Sequence, residues 1–351
     1  MYLLHPGISA IGLDIGTRMI KAAQLQGRGP QRTIMALSMI PRIHPGQPID
    51  REEITHLKEV LKRQGFRGQD VVLAVPEKQL LRGIFELPPA TSGAPIDQIA
   101  RMEVARMHHI EPDAFEMICW GPPQTSSDGN EAQTIAVACS HQDADTLLDA
   151  VEICGLNVKA LDARTAATAR VCACLTVSPP GITAIVDLGW ASTKLLLVSG
   201  QTVLYERLLR SELSELGIQL SQKFGISQSE TSQIIDTIGL TKEHAIDGLD
   251  KGTLDILQNL LETHFRSMLE ELIIPFDYAA RQYDSQGVQR LLLTGGGANI
   301  PGLAGFMENS LALDVRQAGP VDLMQSSPKC LTKARNPGLT VAVGLALFSE
   351  K

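Results

Sequence analysis

The sequence contains no apolar run approaching about 20 residues, the length a helix needs to cross a bilayer. Its opening, MYLLHPG, lacks the charged region and the long apolar stretch of a secretion signal. Both absences point to a cytoplasmic protein. Clustered basic residues are missing as well: lysine and arginine are dispersed along a chain of net charge −8, which argues against nucleic acid or anionic lipid as a main partner. The chain has no CxxC and no cysteine with nearby histidines. Cys119, Cys139, Cys154 and Cys330 stand singly in apolar surroundings and only Cys172 and Cys174 lie close together, so the six read as reduced, buried thiols rather than zinc ligands. His108 and His109 close a helical pattern, where histidine complements the helix dipole rather than binding metal.

What is present is a repeat. AIGLDIGTRMIKAAQLQG (Ala10 to Gly27) returns as AIVDLGWASTKLLLVSG (Ala184 to Gly200), and aligning Asp14 with Asp187 also pairs Gly16 with Gly189, Lys21 with Lys194 and Gly27 with Gly200. Each copy reads as a strand, a tight turn and a second strand. Asp-x-Gly followed by small or hydroxyl residues lets backbone N–H groups face an anion, and the carboxylate can hold a hydrated Mg²⁺ beside phosphates. A third glycine turn, LLLTGGGANIPGL, carries Gly295, Gly296 and Gly297 after a strand. Two hairpins and a glycine turn predict a two-walled nucleotide cleft.

With 351 residues, 44% of them apolar, the chain has length for two lobes with a substantial core. The first lobe is expected at residues 1–83. Within it lie a strand at Thr33 to Ile40, a Pro- and Gly-rich linker at Ile43 to Pro48, and a helix capped by Asp50 with Glu53 three residues on. Ile54, Leu57, Val60 and Leu61 form that helix's apolar stripe, and Val71 to Val75 reads as a buried strand. Residues 84–161 change character. A strand, a helix from Ile96 to His109, a strand at Phe115 to Trp120, a polar turn at Thr125 to Glu131, a strand at Thr134 to Ser140 and a helix from Asp143 to Cys154 predict an inserted subdomain with its own small sheet. Residues 162–180 return to the first lobe as an alanine-rich helix, with Pro179 to Gly181 marking the crossing. The second lobe occupies 181–335, with helices at Glu212 to Phe224, Ser229 to Ile238 and Thr253 to Tyr283. Residues 336–351 form a closing helix that leaves no tail.

The two hairpins and the glycine turn resemble the phosphate-1, phosphate-2 and adenosine motifs of the actin, Hsp70 and sugar-kinase superfamily. Within it the chain resembles the PilM family of type IV pilus assembly proteins nearly end to end, through VVLAVPEKQLLRGIFELPPA, IDQIARMEVARMHHIEP, TIAVACSHQDADTLLDAVEICGLNVKALDA, TGGGANIPGL and NPGLTVAVGLAL. The resemblance implies an α/β, actin-like (ribonuclease H-like) duplicated two-lobe fold with an inserted 1C subdomain of the type found in FtsA. It implies ATP and Mg²⁺ as cofactors, with Asp14, Gly16, Thr17 and Lys21 on one side of the phosphates and Asp187, Gly189, Ser192 and Thr193 on the other. Asp14 and Asp187 would hold Mg²⁺ through water, and Gly295, Gly296 and Gly297 would pass close to the base and sugar.

Four residues depart from that pattern. Arg18 and Trp190 replace small residues of the two turns, Arg164 stands where the family tends to carry an acidic residue near the attacking water, and Ile235 stands where a lysine would approach the sugar. Together they imply a degraded hydrolytic site, with ATP held weakly or not at all and hydrolysis slow or absent. The resemblance further implies an adaptor on the cytoplasmic face of the inner membrane, part of a pilus or related secretion platform. It would capture the cytoplasmic N-terminal peptide of a PilN-like membrane protein in a groove between the first subdomain and the inserted one. Other platform proteins and self-association are further expected contacts, without direct insertion into the membrane. The rival readings are an active actin-like ATPase, a small-molecule kinase, for which no general base can be assigned, and an FtsA-like filament protein, against which the missing amphipathic anchor weighs.

Overall fold

The computed structural model describes residues 7–88, 92–121, 132–240, 251–283 and 287–348. The polar turn expected at 125–131 and the last residues of the closing helix lie outside them. The chain divides into two compact units, one of Met1–Arg170, Thr202–Tyr205 and Ala342–Lys351, the other of Val171–Gln201 and Glu206–Val341. The crossing expected at Pro179 to Gly181 therefore falls earlier, after Arg170.

The first unit begins with strands β1 (Ile11–Ile15), β2 (Met19–Gln26) and β3 (Thr33–Pro41), followed by helix α1 (Arg51–Arg63) and strand β4 (Asp70–Ala74). Next come β5 (Leu80–Leu87), α2 (Ile96–His108), β6 (Phe115–Trp120), β7 (Ala132–Ser140), α3 (His141–Glu152), β8 (Asn157–Asp162) and α4 (Arg164–Cys172). After α4 come β9 (Ile182–Leu188), β10 (Thr193–Ser199), β11 (Thr202–Leu209), whose first four residues belong to the first unit, α5 (Leu213–Phe224), α6 (Gln228–Ile238), α7 (Lys251–Gln282) and β12 (Val288–Thr294). The chain ends with α8 (Leu303–Leu311), β13 (Asp314–Gln317), the short α9 (Pro320–Leu323) and α10 (Leu331–Ala334), and α11 (Thr340–Ala346).

The sequence repeat is a structural repeat. One sheet runs β3-β2-β1-β4-β8 and the other β11-β10-β9-β12-β13. In each, an antiparallel hairpin leads into two parallel neighbours. Asp14 faces Lys21 in the register of the first hairpin, and Asp187 faces Lys194 in that of the second. Every residue of β9 is buried, as a central strand covered on both faces requires.

The inserted sheet, β5-β7-β6, has its own core: Phe85, Leu87, Phe115, Ala136 and Ala138 close on Ala100 and Val104 of α2. Arg101 anchors α2 by donating to the carbonyls of Pro112 and Phe115, at 2.9 and 2.7 Å. The insertion is smaller than the 84–161 expected. Leu147 and Val151 of α3 pack into the first sheet's core with Ile11, Leu13, Leu57 and Leu73, and Asn157–Asp162, where the sequence pattern marks no element, is the parallel edge strand beside β4. Apolar side chains spaced for one face of α3 suit either sheet, so the pattern alone does not choose between them.

Asp50 caps α1, accepting from the Glu53 N–H at 2.9 Å, and Ile54, Leu57 and Leu61 are buried beneath it while Val60 is half-buried. Glu53 does not complete a capping box. It is buried on Arg42, whose Nε and Nη2 donate to its two oxygens at 2.8 and 2.7 Å, and it also accepts from the N–H groups of Ile43 and His44. Burial alone would raise its carboxyl, but the Arg42 hydrogen bonds and the two peptide N–H groups outweigh that and hold it below its ordinary value. Among the described residues no helix is long and apolar enough to cross a membrane.

Removing one partner of this pair leaves the other charge buried, so Glu53→Gln should lower unfolding stability by about 3 kcal/mol in urea titrations at neutral pH. Because the folded carboxyl titrates below 4.5, glutamate's ordinary value, the wild type keeps this contribution above that pH and loses it as the pH falls toward the lower folded value. The destabilisation caused by the variant should therefore shrink in acid.

Candidate functional site

The first hairpin brings together Asp14, Gly16, Thr17, Lys21 and Arg164. Asp14, near the end of β1, is fully buried. Arg164, the first residue of α4, donates through Nη1 to Asp14 Oδ1, and Lys21 on β2 places Nζ 3.1 Å from Oδ2. Burial pushes the carboxyl up, but the Arg164 and Lys21 charges outweigh it and hold Asp14 below the usual carboxylate range. Arg164, expected merely to replace an acidic residue, is thus a direct partner of Asp14.

The turn itself is held by a segment that reads in the sequence only as a linker. Arg42 Nη1 donates to the Gly16 carbonyl at 3.0 Å, the Gly46 N–H to the Thr17 carbonyl at 2.9 Å, and the Arg42 N–H to the Arg18 carbonyl at 2.9 Å. Glu53 fixes the Arg42 guanidinium from behind. In a trans peptide the N–H of the next residue points opposite to the carbonyl. The N–H groups of Thr17 and Arg18 therefore face away from this strap. Neither Arg42 nor Glu53 was singled out for the site. The signal for them is weak: an arginine just before the linker and a glutamate whose capping role was the obvious alternative.

The second unit brings together Asp187, Gly189, Trp190, Ser192, Thr193 and the glycine turn. The Gly189 N–H donates to the Ser192 carbonyl at 3.0 Å, closing the turn. Thr193, expected on phosphate, is fully buried and donates its hydroxyl to the Ser211 carbonyl at 2.7 Å. It belongs to the packing behind the turn. Trp190 is turned onto α5: a Cβ added at Gly217 would lie 2.8 Å from its Cη2 and 3.0 Å from Cζ2. The Trp190 carbonyl also accepts from the Ser214 N–H at 2.8 Å. Ile235 is 2% exposed and belongs to the core of α6.

The glycine turn has a different cause from the one expected. Gly295 has φ +82°, and a Cβ there would strike Asp187 Oδ1 and the Leu188 carbonyl. At Gly297 a Cβ would lie 2.5 Å from Leu213 Cδ1 and 2.9 Å from Leu188 Cβ. Only Gly296 faces open space. Two of the three glycines are thus required by neighbours within their own unit.

Mg²⁺ keeps most of its water and binds through one or two carboxylates. At the first turn both oxygens of Asp14 already meet cations, so a divalent ion would have to displace a guanidinium and sit beside an ammonium. The residues present do not fit the ion there. His44, Asp50 and Glu53 also lie close together, but Glu53 is committed to Arg42.

A family model described as type IV pilus assembly protein PilM matches residues 12–350. No curated relative matches the chain by sequence. Among solved structures, the chain is similar to one described as a PilM-PilN type IV pilus biogenesis complex, with a TM-score of 0.78 at 20% identity, covering 97% of this chain and 98% of that one. It is also similar to the ethanolamine utilization protein EutJ from Carboxydothermus hydrogenoformans, at 0.53 and 15%, covering 99% and 92%. MreB5 of Spiroplasma citri bound to AMPPNP scores 0.50 at 14%, covering 97% and 95%. These likenesses establish an actin-like fold.

The contact between Trp190 and Gly217 can be tested directly. A valine at 217 has no room beneath the indole and should push it outward, shifting tryptophan emission to the red and costing about 2 kcal/mol of unfolding stability, as overpacking does. Gly217→Ala should give a smaller change of the same sign.

Proposed function

Because the chain belongs to the family of type IV pilus assembly protein PilM, we propose that it is an adaptor that binds the N-terminal cytoplasmic peptide of a PilN-like membrane protein. The observation that carries this reading is the end-to-end agreement with a structure solved as a PilM-PilN complex. The peptide would lie between the first sheet and the inserted sheet, both in the same unit. Among the described residues the inserted sheet has two outer strands, β5 and β6, each paired with β7 alone, and each carries an exposed isoleucine, Ile84 and Ile118. An extended peptide recognises such a surface through main-chain hydrogen bonds and alternate side chains. The partner's membrane segment would hold the adaptor at the cytoplasmic face of the inner membrane. Contacts with other platform proteins, and self-association, would follow from that placement.

The nucleotide-binding residues are degenerate in this reading. Phosphoryl transfer depends on positioning and on charge placed beside the phosphates and the attacking water. Here Arg164 occupies the position of the water-orienting acid and engages Asp14. Trp190 and Thr193 are spent on packing. Hydrolysis is therefore slow or absent, and function resides in the peptide partner.

Titration of the full chain with a synthetic peptide of the PilN-like N-terminus should give saturable binding with a Kd of about 1 μM, near −8 kcal/mol, and a scrambled peptide should give no heat. A flat titration with the native peptide would overturn the adaptor reading. Phosphate release from ATP should stay at the buffer rate, with or without peptide.

A further inference from the structure

We propose that a cleft at the far end of β2, away from the turn that follows Asp14, binds an acidic segment of a partner protein through Arg28 and Arg67. The proposal goes beyond capture of the PilN-like peptide and does not depend on it. Three observations within the first unit carry it.

The first is the cleft and its charge. Gly7 and Ile8, the connection from Gln26 to Thr33 between β2 and β3, and Arg67 between α1 and β4 border a space of about 520 Å³. A space of that size admits a few side chains and not a folded domain. The charged side chains that line it are Arg28 and Arg67, both exposed, and no carboxylate lines it. Elsewhere in the unit Arg42, Arg63, Arg101, Arg106 and Arg170 each meet a carboxylate. Two like charges at one opening repel each other, and an anion from outside relieves them.

The second is that the cleft is built in advance. The Gln24 side chain is buried, with the residue 1% exposed. Its Oε1 accepts from the Arg67 N–H at 2.8 Å, and its Nε2 donates to the carbonyls of Arg67 and Ser9 at 2.6 and 3.0 Å. One buried amide thus fixes the main chain of Arg67 to β2 and to the segment before β1. The Gly27 N–H closes the opposite side on the Gly7 carbonyl at 2.6 Å. Little ordering remains to be done when a ligand arrives.

The third is the kind of anion that fits. Phosphate sites are commonly cradled by backbone N–H groups. Here the N–H groups of Gly27, Gln31 and Arg32 are spent on the carbonyls of Gly7, Arg28 and Gly29. What the cleft offers is guanidinium forks, whose planar geometry matches carboxylates. A nucleic acid or an anionic membrane calls for a longer basic track, about 4–8 lysines and arginines in the membrane case. Two arginines on a chain of net charge −8 suit a short acidic peptide.

The test follows the fluorescence anisotropy of a labelled hexapeptide of alternating glutamate and aspartate as the full chain is added at low salt, with its glutamine and asparagine counterpart as the reference. Saturable binding of the acidic peptide, at least about tenfold tighter than that of the neutral one, is expected. Arg28→Gln and Arg67→Gln should each weaken it about tenfold through loss of a charge-assisted contact. Arg51→Gln, at an exposed arginine of α1 outside the cleft, should leave it unchanged. All three side chains are exposed, so unchanged thermal unfolding is expected of each variant. No saturation by the acidic peptide, equal binding of the neutral one, or equal losses in all three variants would each overturn the proposal. Inorganic phosphate that displaces the peptide at the peptide's own concentration would overturn the carboxylate assignment. The PilN-like peptide, added unlabelled, should leave the signal unchanged, and displacement by it would overturn the claim of a separate site. Its own calorimetric titration keeps failure here distinct from failure of the adaptor reading.

Discussion

One buried carboxylate organises the first hairpin of the first unit. Asp14 joins three elements that are distant in sequence: its own strand β1, the return strand β2 through Lys21, and helix α4 through Arg164. A carboxylate with no solvent must be matched by charge or titrate upward. Here two cations match it and hold it ionised. The hairpin, the start of α4 and the charge of the turn are set together by that requirement, so none of the three can be altered alone.

A second buried ion pair supports the first from the side. Glu53 fixes Arg42, and Arg42 fixes the carbonyls of the turn. The geometry of a loop near the N-terminus is thus decided by the opening turn of α1. In the second unit Thr193 donates to the Ser211 carbonyl, Trp190 lies on Gly217, and Asp187 lies against Gly295. The two copies share a strand order and a hairpin register.

The fold was legible because its signals are local and repeated. The paired Asp-x-Gly hairpins gave the duplicated sheet, and the Asp-to-Lys spacing corresponds to the register in both copies. The membership of α3 and β8 was not legible, because an apolar stripe shows that a face is buried without showing against what. The site was legible as residue types and not as partners. Arg164 stood out as a departure, but its contact with Asp14 depends on bringing together segments 150 residues apart. Glu53 was misread because a glutamate three residues after a capping aspartate has a sufficient local explanation, and only burial reveals the tertiary one.

Gly295 and Gly297 have a consequence for how such chains change over time. Their lack of a side chain is demanded by Asp187, Leu188 and Leu213, neighbours that a folded unit needs whether or not it ever meets a nucleotide. Selection for folding alone would preserve these two glycines, so their presence in a chain is a record of packing and is silent on chemistry.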